Sequence, residues 1–273
     1  MQKNIDIEKA KYFSEGYLLV KNVFSKDEMC IVKNKILSIS ELNNKVNLIK
    51  KKQDNKEHPS FETIHVWNDT DGNDIFAKIG KSNKILDRMS QIYDDDVYCY
   101  HNKITLKYPG IVGFNPHQDY YYWNKYGVPY PEAHAAFVAI DECTLENGCL
   151  QIIPKTHFLG TLPHDNWGKG DSDNGIKKDV YLSLLELDYK PIPIIMEPGD
   201  VVFFHGNTIH LSNDNNSDKS RIAMLVTLNT KKASPLSSKN IGHPYYKKHE
   251  RVYDSIVESD LNLPLPDFKK IYI

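Results

Sequence analysis

The amino-acid sequence predicts an α+β fold, mainly β, with a jelly-roll core and helices ahead of it. Three observations predict this. Helical periodicity is confined to the first third of the chain, short β-rich runs broken by turn signals follow from residue 97, and no helical pattern separates those runs as parallel crossover units would require. A chain of 273 residues is of ordinary size for one such domain. A single domain over 1–273 is therefore expected, with helical support at 1–96, the core at about 97–232 and an extension at 233–273.

The elements follow in order. A short helix ends at Gly16, and the apolar run YLLVKNV reads as a strand. Ser25 with Glu28 three residues later forms a capping box, and Met29, Val32, Ile36 and Ile39 continue at helical spacing. Residues 41–60 are rich in Lys and Asn and read as a loop over a surface or cleft. One further helix is expected over DIFAKIGKSNKILDRMSQIY. The β runs are then VYCYHNKITLKY, HAAFVAIDEC, GCLQIIPKTH, PIPIIMEPGDVVFFHG, TIHLS and SRIAMLVTLNT.

Composition narrows the partner. With Lys+Arg 34 against Asp+Glu 36 the formal charge is -2, so bulk electrostatics favour neither nucleic acid nor an anionic membrane. A small molecule is the default partner. Cys30, Cys99, Cys143 and Cys149 form no C-x-x-C pair, the N-terminus carries no apolar signal region, and no apolar run is long enough for a membrane span. Reduced thiols and a cytoplasmic location are expected; oligomeric state is not legible.

The chemistry begins at NPHQDYYYW, 115–123. On an extended segment His117 and Asp119, two apart, point to one side and can grip a metal if a third ligand exists. His205 and His210 are the candidates, in FFHGNTIHLS; His210 re-enters extended structure at the barrel mouth, whereas His205 has opposite parity and suits a buried, hydrogen-bonded role. Two histidines and a carboxylate on one face, with open positions, describe the facial triad of non-haem Fe(II) oxygenases. Arg221, eleven residues after His210, begins the next strand and offers a bidentate fork for a carboxylate. A dicarboxylate such as 2-oxoglutarate would chelate iron at one end and meet Arg221 at the other, leaving the last position for O2.

H-Q-D at 117–119, DECTLENGCLQIIPKTH at 141–157, PGDVVFFHG at 198–206, and His210 followed by Ser212 and Arg221 together resemble the phytanoyl-CoA hydroxylase family of Fe(II)- and 2-oxoglutarate-dependent oxygenases, which includes ectoine hydroxylase. The opening YFSEGYLLVKNVFSKDEM resembles that family's N-terminus, so the similarity spans roughly residues 12 to 230. The resemblance implies a double-stranded β-helix, a cupin-like form of jelly roll. It also implies His117, Asp119 and His210 as iron ligands, Arg221 and Ser212 as holders of the cosubstrate carboxylate, Thr105 near the cosubstrate, and Trp123 on the substrate side. Lys155 departs from the glycine usual in its turn. Retention of Asp119, which related halogenases replace by a small residue, favours hydroxylation over halogenation.

The remaining expectations concern the cavity. Alternation along an extended 120–123 would turn Tyr121 and Trp123 inward, and His101 and Lys103 share the parity of Thr105. These four are candidate substrate contacts. His157, His164 and His243 read as loop or rim histidines, and 164–179 as a lid or an uninvolved surface insertion. Hydroxylation leads. A desaturation, cyclisation or epimerisation outcome with the same cofactors, and a non-catalytic metal-binding sensor, stay open.

Overall fold

A computed structural model of the chain describes residues 2–39, 62–66, 73–167, 174–236, 245–248 and 250–265. The 41–60 loop lies outside them. Helix α1 (Gln2–Glu15) leads into strand β1 (Tyr17–Val20) through Gly16, whose φ of 80° only glycine adopts freely. Helix α2 (Lys26–Ser38) starts at the predicted capping box: Ser25 accepts from the Glu28 amide at 3.1 Å while Glu28 accepts from the Ser25 amide at 2.8 Å. Its Met29, Val32 and Ile36 are buried against the sheet.

The single helix expected over 74–93 is two, α3 (Ile75–Gly80) and α4 (Asn83–Tyr93). Asp74 caps the first through the amides of Phe76 and Ala77, and Ser82 caps the second through Lys84. A second N-cap inside an apolar-periodic run restarts the helix. Strand β2 (Glu62–Val66) and helix α6 (Lys178–Glu186) carry signals too short to have been recognised in the sequence. Between them lie β3 (Val97–Lys107), α5 (Tyr120–Lys125), β4 (His134–Ala139), β5 (Leu150–Ile152), β6 (His164–Asn166) and β7 (Asn174–Ile176). Strands β8 (Ile192–Pro193), β9 (Val201–His205), β10 (His210–Ser212) and β11 (Arg221–Thr230) follow α6.

The large sheet has the order β1-β9-β4-β11-β3-β2 and the small one β10-β5-β8, all antiparallel. Strict alternation sorts the large sheet's side chains. Ile104, Leu106, Ile222, Met224, Val138 and Phe203 bury one face against the helices. Ala223, Phe137, Val202 and Phe204 on the other face pack with Leu150 and Ile152 of the small sheet. The space between the sheets is where β3, β10 and β11 present polar residues. The described part of the C-terminal extension folds back over α4 and the start of β3: Arg251 pairs with Asp87 at 2.8 Å, and the Tyr246 hydroxyl donates to Asp96 at 2.8 Å. No helix among the described residues is long and apolar enough to cross a membrane.

Candidate active site

The backbone brings the two distant histidines together. His117 and His210 form an antiparallel bridge, each amide donating to the other's carbonyl at 3.0 Å. Both rings then hang on the same side, with centroids 4.1 Å apart. The Nδ1 of His117 lies 2.7 Å from the Asn115 carbonyl and that of His210 lies 3.0 Å from the Thr208 carbonyl. Carbonyls only accept, so both rings carry the proton on Nδ1 and turn a bare Nε2 lone pair inward. Asp119 Oδ1 lies 3.9 Å from His117 Nε2 and 3.8 Å from His210 Nε2. Among the described residues these three are the group able to hold a metal ion. Burial and the neighbouring His210 hold His117 down to about 3, so it presents the neutral form that metals bind.

Asp119 does not continue a strand. It stands at the head of α5, whose first turn hydrogen-bonds to its carbonyl from Tyr122 and Trp123, while its carboxylate caps nothing and stays free to face the histidines. The strand alternation expected for 120–123 is therefore corrected to a helix, which changes the geometry of the aromatic run. At helical spacing Tyr122 and Trp123 follow Asp119 on one face. Tyr122 donates its amide to the Asp119 carbonyl at 3.0 Å, and burial and the Asp119 carboxylate push its phenol up to about 12. Tyr121 instead stacks on His164 at 4.0 Å, with Lys125 over its ring at 3.9 Å. Trp123 is buried, 4.7 Å from the His101 ring and 5.6 Å from Tyr100. Lys103 lies over it at 5.3 Å, and burial lowers the Lys103 ammonium while Asp119 partly restores it.

His164 is not a rim residue. Its Nε2 accepts the Gln118 amide at 3.1 Å, between two members of the triad, and burial holds it down to about 4. Gln118 itself ties the loop to Gly160, Leu162 and Asn207 with bonds of 2.7–2.8 Å. His205 is on the far side, as parity required: its Nδ1 accepts from the Asn207 amide and it neighbours His157. Of the stretch 164–179, 164–166 and 174–176 pair as β6 and β7, 177–179 lead into α6, and 168–173 lie outside the described residues, as does His243.

The other end of the site is cationic. In the β3–β11 register Arg221 faces Lys107, Ala223 faces Thr105, Leu225 faces Lys103 and Thr227 faces His101. Arg221 is 2 % exposed; its Nη1 donates to the Gly148 carbonyl at 2.8 Å, and its Nε has no hydrogen-bond partner among the described residues. A buried donor left open in this way fits an absent anion. Thr105 lies on the same face, with its hydroxyl donating to the Ala223 carbonyl at 3.3 Å, and His101 Nε2 is 3.2 Å from the Thr227 hydroxyl. Ser212, on β10 two residues after His210, accepts from Lys107, the register partner of Arg221, at 2.9 Å. Gly148, the last residue of the E-N-G turn, allows this: at φ 69° a Cβ would stand 2.3 Å from the Asn213 carbonyl and 2.9 Å from Lys107 Nζ.

Two imidazoles and one carboxylate with open sides, beside a buried guanidinium, fit ferrous iron and a chelating oxo-acid, and define the class of non-haem iron oxygenases. The chain belongs to the phytanoyl-CoA dioxygenase (PhyH) family, whose model matches residues 12–223. It is a 2-oxoglutarate-dependent non-haem iron dioxygenase, requiring Fe(II), 2-oxoglutarate and O2. It is 26% identical over 232 residues to an ectoine dioxygenase of Streptomyces anulatus, covering 80% of this chain and 76% of the relative. Against a methylphosphonate hydroxylase of Gimesia maris it is 29% identical over 174 residues, 63% of this chain and 59% of the relative. The solved structure of EctD from S. alaskensis with 2-oxoglutarate and 5-hydroxyectoine has a similar fold, with a TM-score of 0.65 at 18% identity, covering 92% of this chain and 86% of the other. That of the epimerase SnoN from nogalamycin biosynthesis gives 0.60 at 15%, covering 93% and 95%.

Proposed function

We propose that the protein hydroxylates an unactivated C–H of a small, polar, anion-bearing metabolite, with one oxygen of O2 entering the product and the other entering succinate as CO2 is released. The observation that carries this is that three metal-donor atoms and an open, buried guanidinium border the same inter-sheet layer, His210 against Phe204 at 4.7 Å and Arg221 over Phe137 at 5.5 Å. His117, Asp119 and His210 hold the iron, and Arg221 and Ser212 receive the far carboxylate of 2-oxoglutarate, with Thr105 beside it. The two facing sheets are the halves of a double-stranded β-helix, and residues 1–273 act as one domain. Iron and 2-oxoglutarate supply the activation of O2 when bound. The chain's own residues orient and exclude water.

His164 and Gln118 fix the loop that carries two of the ligands. Trp123, Tyr122, Lys103 and His101 line the side where the substrate is held, and Tyr121, stacked on His164, supports it from outside. A lysine ammonium beside tryptophan suits a substrate carrying a carboxylate or phosphonate, a class to which a relative named for methylphosphonate lends support. Desaturation, cyclisation or epimerisation would use the same ligands, and product mass separates them.

The test is an anaerobic titration of Fe(II) and 2-oxoglutarate, read by their visible charge-transfer band. Wild type is expected to develop the band, His210→Ala to lose it, and Arg221→Ala to need roughly 30-fold or more 2-oxoglutarate, in line with about 2 kcal/mol for a charged, buried hydrogen-bond pair. A folded, iron-loaded wild type without a band overturns the proposal. A product 16 mass units heavier, formed with succinate, is the mark of hydroxylation.

A further inference from the structure

We infer that Lys107 is a second cationic residue of the carboxylate-binding end, a positioning residue that turns the Ser212 hydroxyl into a donor aimed at the carboxylate Arg221 receives. This rests on the proposal that the site takes 2-oxoglutarate.

Lys107 is fully buried at the end of β3 and is the register partner of Arg221. Two cations thus stand side by side on one face of the large sheet. Both donate to the same oxygen, the Gly148 carbonyl, Arg221 at 2.8 Å and Lys107 at 3.4 Å. Lys107 also donates to the Asn213 carbonyl and, at 2.9 Å, to Ser212 Oγ. Ser212 Oγ accepts a second hydrogen bond from the Phe114 amide at 3.1 Å. A hydroxyl has two acceptor sites and one donor. With both acceptor sites engaged, the Ser212 proton is left to give, on a hydroxyl held by the register partner of Arg221, whose own Nε–H is open. The acceptors met there are neutral, the Gly148 and Asn213 carbonyls and the Ser212 hydroxyl, while Arg221 Nε–H stays open.

The charge balance also calls for an anion. Among the described residues no carboxylate forms an ion pair with Lys107 or Arg221; Asp214, the nearest acidic influence, accepts the Gly113 amide at 2.7 Å instead. The groups facing Lys107 are Arg221, Asp214 and the Cys149 thiol. Burial first and Arg221 second lower its ammonium to about 7, against the weaker pull of Asp214 and Cys149. Two like charges buried side by side are unfavourable until a counter-charge arrives. The carboxylate of a dicarboxylic oxo-acid is that counter-charge, and its binding should draw a proton onto Lys107 near neutral pH.

The experiment is calorimetric titration of anaerobic Fe(II)-loaded protein with 2-oxoglutarate at pH 7.5 in phosphate and in Tris, whose ionisation heats differ. Wild type is expected to take up a substantial fraction of a proton on binding. In Lys107→Met the uptake should vanish and Kd should rise at least 10-fold, while pyruvate, which lacks the far carboxylate, should bind both proteins equally. Ser212→Ala on top of Lys107→Met should add less than 2-fold, because the hydroxyl has already lost its orientation. Lys107→Met binding with wild-type affinity and wild-type proton uptake overturns the inference, as does an equal loss of pyruvate and 2-oxoglutarate binding. Should Lys107→Met not fold, wild type still decides, since binding without proton uptake between pH 6.5 and 8.5 overturns it as well. A wild type that binds no 2-oxoglutarate at all fails the functional proposal itself, a distinct result.

Discussion

Lys155 lies at φ 67° and ψ -1°, in the left-handed region where a side chain is strained, at the turn into Thr156–Leu159. The turn is held regardless: the Lys155 amide donates to Glu15, and Thr156 bonds Ile153 and Ile209. The sequence places a lysine where the family has glycine, and the dihedral shows what that glycine is for. Lys155→Gly is therefore expected to stabilise the protein by about 0.5–1 kcal/mol, the relief of strain outweighing glycine's extra freedom in the unfolded chain. Thermal or urea unfolding measures it. At this scale the meeting of His117, Asp119 and His210 and the buried place of Arg221 were legible, because their spacing is local or tied to strand starts. Lys107 was within reach of the same reasoning, since the parity that links His101, Lys103 and Thr105 continues to it. Tyr122 was not, because an aromatic run favours a strand with a period of two, whereas 120–125 is helical. His164 was not either, since its contact with Gln118 crosses 46 residues of chain.

Among the elements, those whose starts are written in local chemistry came out as expected. Ser25 and Glu28 close the box at the head of α2, and Glu28 additionally accepts from Lys84 and from the Ile256 amide. Ser25→Ala should cost about 1 kcal/mol, and Glu28→Ala more, since it also leaves Lys84 and the Ile256 amide without their acceptor; chemical denaturation of the two variants ranks them. The run 120–123 failed because Tyr and Trp favour strands, whereas here Asp119 opens a single helical turn and the Tyr120 amide is taken by the Gly206 carbonyl. Tertiary hydrogen bonding overrode propensity. The bulge in β3 opposite Thr227 and Leu228, which brings both Tyr100 and His101 near Trp123, has no sequence signature apart from the structure.

For the molecule as a whole, alternation along β3, β4, β9 and β11 divides the interior into an apolar layer under the helices and a second layer facing the small sheet. The main strands of the core were legible from turn signals, but the short β2, β6 and β7 were not, β8 and β9 read as one run, and the pairing was hidden because it depends on contacts far apart in sequence. The interior also encloses histidines without counter-ions. His134, 1 % exposed and stacked on Tyr93 at 4.7 Å, is held down to about 4 by burial, and its strand partner His205 to about 3. Unfolded, each would titrate near its ordinary value of 6.5. Above that pH neither state is charged and nothing is lost. Below it the unfolded chain takes up protons that the folded one refuses, so stability should fall as pH drops from 6.5 toward 4, by up to roughly 1.4 kcal/mol per pH unit for His134. Melting temperatures between pH 5 and 8 should show this slope, and His134→Gln should reduce it.

The reciprocal pair of peptide hydrogen bonds between His117 and His210 has a further consequence. The spacing of the two histidines is set by the main chain before any ion arrives, so other first-row divalent ions can meet the same two imidazoles. Cobalt, nickel, copper and zinc would enter the same frame, with affinities rising along the Irving–Williams series and copper at its peak. Replacement of iron by such an ion would leave the backbone frame unchanged while removing the redox chemistry.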